Sequence, residues 1–142
     1  MMIQQANSPP LVRILIADDS AMIRKRLFNL LGNLPGVQIV GQAENVRQAV
    51  ALVQLWTPDL VTLDIQMPSA PGLKNGIDVL RRIKQEQPLT QVIMLTNLVQ
   101  SPYRTKCLAA GADYFFDKSN EFDCVAPVVA QVRQGTQQAR PS

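Results

Sequence analysis

Apolar residues gather in short runs along this chain, and polar residues fall at the ends of those runs. Leu11-Val-Arg-Ile-Leu-Ile-Ala17 stops at Asp18-Asp19, and Asp59-Leu-Val-Thr-Leu63 stops at Asp64. Val92-Ile-Met-Leu95 ends in Thr96, and Tyr114-Phe-Phe116 leads through Asp117 to Lys118. β-Branched and aromatic residues favour strands and carboxylates do not, so each run predicts a strand with a polar residue at its carboxyl end. A further short strand, Val37 to Ala43, follows the Pro35-Gly36 turn.

Between the strands the apolar period lengthens to that of a helix. Ser20 caps a helix with Ile23, Leu27, Leu30 and Leu31 on one face, and Asn45 caps a second with Val46, Ala49, Val50, Val53 and Trp56 inward. Ile65 to Gly76 reads as a loop rich in Pro and Gly, and the helix after it turns Ile77, Leu80 and Ile83 inward. Ser101-Pro102, a cap followed by proline at the first helical position, opens a fourth helix that closes at Gly111. Asn120 caps the last, which carries Val125, Val128, Val129 and Val132; Pro127 suggests that regular helix begins near it.

Five strands alternating with five helices predict a parallel sheet covered on both faces, a doubly wound α/β fold. In such open sheets ligands bind outside the carboxyl ends of the strands. The five polar residues fall there. Residues 11–134 make one domain, between a tail at 1–10 that enters the fold through Pro9-Pro10 and a frayed tail at 135–142.

Composition narrows the chemistry. The chain has 142 residues, is 46% hydrophobic and contains no histidine. Ser-His-Asp triads, Cys-His pairs and histidine metal sites are therefore excluded, leaving carboxylate, hydroxyl and amine. Cys107 and Cys124 match no metal spacing and read as reduced, partly buried thiols. No apolar run is long enough to span a membrane and no signal peptide opens the chain, so a cytoplasmic location without membrane contact is expected. The net charge of +3 is scattered, and Arg24-Lys25-Arg26 reads as a solvated helix face, so direct nucleic-acid binding is not expected.

Three carboxylates at one sheet edge repel each other, and a bound cation relieves that repulsion. All-oxygen ligands with room for water favour Mg²⁺. Lys118 adds a compact positive charge and Thr96 a hydroxyl donor. Metal and amine neutralise the oxygens of a phosphoryl group, and a carboxylate can attack its phosphorus. Taken singly, each residue has a plainer role: an Asp at a strand end caps a helix, and a lysine lies on the surface. Their convergence is what points to an aspartyl phosphate.

The segments Ile14-Leu-Ile-Ala-Asp-Asp-Ser20, Leu63-Asp-Ile-Gln-Met-Pro68, Met94-Leu-Thr96 and Gly111-Ala-Asp-Tyr-Phe-Phe-Asp-Lys-Ser119 resemble the receiver domain of two-component response regulators. The resemblance runs from about Leu11 to Gln134. It implies a flavodoxin-like (βα)5 fold with strand order 2-1-3-4-5. It also implies Asp64 as phosphoacceptor, and Asp19 and Asp64 as direct Mg²⁺ ligands with the Gln66 backbone carbonyl. Asp18 would act through metal-bound water, Thr96 and Lys118 would hold phosphoryl oxygens, and Phe115 would repack when Thr96 moves. The implied function is a signalling switch, not an enzyme beyond its own phosphorylation and dephosphorylation. A histidine kinase or histidine phosphotransfer protein would be the donor, an unnamed protein the target, and a phosphorylation-dependent homodimer one possible output.

The sequence departs from the family pattern at three places. Ser69 to Asn75 lengthens the connection between Pro68 and Gly76, Asn97 replaces a very small residue, and Ser119 replaces a proline. Leu98 and Gln66 match positions that tune the lifetime of the phosphoryl group, and an apolar Leu98 predicts slow decay. Two alternatives stay open: a pseudo-receiver that only docks, and an aspartate-nucleophile phosphatase, against which Gln66 stands where such enzymes carry a second acid. With no output domain after Gln134, a stand-alone receiver is expected.

Overall fold

The computed structural model describes residues 11–139. Strands β1 (Val12–Ala17), β2 (Val37–Ala43), β3 (Leu60–Leu63), β4 (Gln91–Thr96) and β5 (Tyr114–Asp117) form one parallel sheet in the order β2-β1-β3-β4-β5. Helices α1 (Ala21–Gly32), α2 (Val46–Trp56), α3 (Gly76–Glu86), α4 (Ser101–Ala109) and α5 (Val125–Ala139) alternate with them. This is the doubly wound architecture and strand order that the pattern and the resemblance predict.

The apolar runs reflect burial on both faces. Side chains still alternate along each strand, so two cores form. Ile14, Ile16, Leu60, Ile93 and Leu95 point to one core with Leu27 and Leu31 of α1 and Val125 and Val129 of α5. Leu15, Val61, Leu63, Val92 and Met94 point to the other, with Val53 of α2 and Leu80 and Ile83 of α3. Register slips once, between Ile14 and Leu15, where β1 passes from Ile39 to Gly41 on β2. A Cβ at Gly41 would lie 3.1 Å from Leu15 Cδ1, so the glycine lets the sheet and the side chains above it close up.

Local sequence sets most helix starts. Ser20 Oγ accepts from the Ile23 amide at 3.2 Å, and Asn45 Oδ1 from the Gln48 amide at 2.8 Å. Asn75 caps α3 in the same way, accepting from Ile77 N at 2.8 Å. The extra residues before it fold as a tight turn. Ala70 and Leu73 exchange two backbone hydrogen bonds of 2.9 Å, with Pro71 and Gly72 at the corner. Gly72 has φ +79, the left-handed conformation that the third position of a type II turn demands.

Three expectations change. The N-cap of α4 is Gln100, so Ser101 and Pro102 are its first two helical residues and Ser101 does not cap. Asn120 does not cap either; its amide donates to Asp117 Oδ2 at 3.0 Å, and a 3-10 turn, Phe122–Cys124, precedes α5. Pro127 falls in the first turn of α5, where its missing N–H removes no helical bond. Trp56 is 43% exposed, because α2 ends there and its ring lies at the edge over Gly41. The last helix runs on to Ala139. The expected tail at 1–10, and the end of the one at 135–142, lie outside the described residues.

One contact ties fold to site. A Cβ on Gly76 would meet the Asp64 carbonyl oxygen at 1.9 Å, and the Gly76 amide donates to Ile65 O at 2.8 Å. The start of α3 is packed directly on the backbone of Asp64. Gly76→Ala should therefore cost about 2 kcal/mol or more. Gly72→Ala, with open space around it, should cost only about 1 kcal/mol for its backbone conformation. Urea denaturation of the two variants checks this; equal midpoints would show that the Gly76 contact gives way freely.

Candidate functional site

The polar residues at the ends of β1, β3, β4 and β5 meet because the backbone ladder runs on past the strands. Asp18 N donates to Ala43 O at 2.9 Å, Asp64 N to Ala17 O at 3.1 Å and Lys118 N to Thr96 O at 2.9 Å. The carboxylates of Asp18, Asp19 and Asp64 each bring an oxygen within 4.8 Å of the others. Asp18 and Asp64 are buried, whereas Asp19 is exposed.

Lys118 occupies the space between the two buried acids. Its Nζ lies 2.7 Å from Asp18 Oδ2 and 2.8 Å from Asp64 Oδ2, with only 9% of the side chain exposed. Asp18 Oδ1 accepts from Ser20 N at 2.8 Å, and Asp64 Oδ1 from Gln66 N at 3.3 Å. Burial raises the Asp18 carboxyl above its usual value, against the hydrogen bonds from Lys118 and Ser20. Burial alone would lower the Lys118 ammonium, but its bonds to Asp18 and Asp64 prevail and raise it. Three acids and one ammonium leave an excess of negative charge, and every donor is oxygen. That set fits a hard dication, with the exposed carboxylate of Asp19 facing the open side.

Above the acids lies a cleft of about 720 Å³, lined among others by Asp19, Asp64, Gln66, Lys74, Asn97 and Lys118. Thr96 is fully buried at the end of β4, and its Oγ1 accepts from Leu98 N at 3.1 Å. That bond uses an oxygen lone pair and does not engage the hydroxyl proton. Phe115 is buried beside Met94 on the neighbouring strand, with the Arg104 guanidinium 5.3 Å from its ring centre. Among the described residues, therefore, Asp18, Asp19, Asp64 and Lys118 stand together, Gln66 lines the cleft, and Thr96 and Phe115 sit one layer away.

Several contributors escape the sequence pattern. Arg24, read as part of a solvated face, donates from Nη1 to the Asp18 carbonyl at 2.8 Å and pairs with Glu44 at 3.7 Å. Its place one helical turn beyond the Ser20 cap was the available signal. Arg26 lies over the Phe122 ring at 4.0 Å, so of the basic triplet these two make intramolecular contacts. Lys74 and Asn75, from the lengthened connection, form part of the cleft wall. Burial pushes the Cys107 thiol up to about 11, which keeps it protonated at neutral pH, and both cysteines are free.

No helix among the described residues is long and apolar enough to cross a membrane. The model of the response regulator receiver domain family matches residues 14–129. The chain is 37% identical over 129 residues to a protein-glutamate methylesterase/protein-glutamine glutaminase of Alkalilimnicola ehrlichii, covering 89% of this chain but 31% of that protein. It thus spans about a third of that relative's length. The response regulator domain of Thermotoga maritima CheB superposes with a TM-score of 0.75 at 30% identity, covering 92% of this chain and 99% of that one. A chain of the CheX–CheY–BeF3–Mg²⁺ complex of Borrelia burgdorferi gives 0.71 at 28% identity, covering 87% and 92%. With the family match running through all four polar strand ends, this chain belongs to the response regulator receiver domains of two-component signal transduction.

Proposed function

We propose that the chain is a phosphorylation-dependent switch that takes a phosphoryl group onto Asp64. The observation that carries this reading is the Lys118 ammonium held at 2.7 and 2.8 Å between Asp18 and Asp64. A single amine there can shift from a carboxylate to a phosphoryl oxygen with little movement. An Asp64 carboxylate oxygen attacks phosphorus, and the P–N bond to a donor imidazole breaks as the P–O bond forms. The nitrogen keeps the electron pair and regains a proton from solvent. Lys118 and the free proton of Thr96 Oγ1 then hold two phosphoryl oxygens.

Asp19, Asp64 and the Gln66 carbonyl would hold Mg²⁺, with Asp18 acting at one remove. When bound, the ion neutralises developing charge on the phosphoryl oxygens. The Borrelia relative, a complex with BeF3 and Mg²⁺, supports that assignment. The donor is a histidine kinase or histidine phosphotransfer protein, and the output passes through the face made by α4, β5 and α5, onto a target protein or a second copy. Drawing Thr96 toward phosphate shifts the loop after β4, and Phe115 repacks beneath it.

The decisive experiment incubates the protein with Mg²⁺ and a small acyl phosphate and reads intact mass. A gain of one phosphoryl group, absent in Asp64→Asn, is expected; no gain in the unaltered protein leaves a docking module as the function.

Protons and metal compete at the same acids. Because Asp18 titrates above the ordinary carboxylate value of 3.8, Mg²⁺ affinity should begin to fall at a higher pH than in a site of normal carboxylates. Asp18→Asn should move that fall to lower pH. A Mg²⁺ titration followed by fluorescence or NMR across pH checks it, and an unchanged midpoint in the variant would contradict it.

Lys118→Met should bind Mg²⁺ several-fold more tightly, since the ammonium that competes for Asp18 and Asp64 is gone, yet it should lose the switch. Weaker Mg²⁺ binding in that variant would show that the amine organises the acids more than it competes.

A further inference from the structure

The last rung between β4 and β5 pairs Thr96 with Asp117, and one more backbone bond, Lys118 N to Thr96 O at 2.9 Å, closes the ladder. Beyond it the chain divides into a loop that carries Thr96 onward and a turn that carries Lys118. Each half satisfies itself locally. Leu98 N donates to Thr96 Oγ1 at 3.1 Å and Val99 N to Asn97 O at 3.1 Å. On the other side Ser119 N and Asn120 Nδ2 donate to the two carboxylate oxygens of Asp117 at 2.9 and 3.0 Å.

Past the ladder, among the described residues, one hydrogen bond crosses between the two halves: Ser119 Oγ donates to Asn97 Oδ1 at 3.1 Å. Its two ends are two of the three places where this chain departs from the receiver pattern. The bond needs a side-chain acceptor at 97 and a donor at 119, which Asn97 and Ser119 supply and which glycine, alanine or proline could not. Asn97 also lines the cleft over Asp64.

We propose that Asn97 and Ser119 are positioning residues: a latch that ties the Thr96 loop to the Lys118 turn, so that the two phosphoryl-holding groups move as one. This rests on the phosphorylation of Asp64. The latch also keeps the Asn97 side chain across the mouth of the cleft, in the path of water. Decay of the phosphoform is attack of a water oxygen on phosphorus. The P–O bond to Asp64 breaks, the carboxylate takes the electron pair, and the water's proton passes to solvent or phosphate. A latched loop slows that approach.

The test is a double-mutant cycle over Ser119→Ala, Asn97→Ala and both together, with Ser119→Thr as the variant that keeps the hydroxyl. In the phosphorylated protein, Ser119→Ala should speed decay about three- to tenfold, and Ser119→Thr should not. The double variant should decay no faster than Asn97→Ala. In the unphosphorylated protein, amide exchange gives a reading independent of phosphotransfer. Ser119→Ala should raise exchange at Leu98 across the latch, and Asn97→Ala at Ser119 and Glu121. Additive decay rates, or exchange changes confined to the mutated side, overturn the latch. Failure of the unaltered protein to take up phosphate overturns the proposed phosphorylation instead, and the exchange cycle still decides whether the two halves are tied.

Discussion

Two buried carboxylates share one ammonium, and much of the architecture can be understood as holding those three groups in place. Asp18 and Asp64 sit where the strands end, out of water, with Lys118 Nζ within hydrogen-bonding distance of both. Buried charges are tolerated when each is paired and hydrogen-bonded, and removing one partner exposes the desolvation cost of the others. Other donors share the load: the Ser20 amide on the Asp18 carboxylate, the Gln66 amide on that of Asp64, and the Arg24 guanidinium on the Asp18 backbone carbonyl. Parallel pairing fixes the spacing of the strand ends, and the absence of a Cβ at Gly76 lets α3 press on the Asp64 backbone. The charge excess that remains is what gives the site an appetite for a cation.

The same triad makes the site responsive. An ammonium between two acids sits in a balance that a third anion can tip, because its gain from a phosphoryl oxygen is set against its loss from a carboxylate. The proposed switch therefore needs no large rearrangement in its first step. Phe115 is already buried, under Arg104, so the repacking proposed for it starts from a ring that is inside the protein before phosphate arrives. A cation over a ring at such a site contributes about 0.5–1 kcal/mol, enough to bias the ring and too little to lock it.

What could be read from sequence follows the range of the interactions involved. The strands, their order once the family likeness was seen, and the placing of Asp18, Asp19, Asp64, Thr96 and Lys118 at one edge are legible because run ends are local signals. So are the Ser20 and Asn45 caps. Asn120 misled because a 3-10 turn, Phe122–Cys124, intervenes before α5, so the helix starts too far along the chain for that side chain to cap it. Asn75 hid behind a Pro-Gly turn that reads only as loop. The pair of Lys84 with Asp113, at 2.8 Å across 29 residues, and the bond of Arg24 to the Asp18 carbonyl have no spacing that announces them.

Asn97 and Ser119 show the limit most clearly. Each is an ordinary exposed polar residue, separated from the other by 22 positions, and a reader of the sequence sees two unrelated departures. The sheet brings them together because parallel strands β4 and β5 end level with one another, so the residues just past both ends become neighbours. The register that aligns Thr96 with Asp117 therefore also aligns whatever follows them. In a fold whose functional groups all stand at strand ends, the residues immediately beyond those ends are the ones able to couple one functional group to the next.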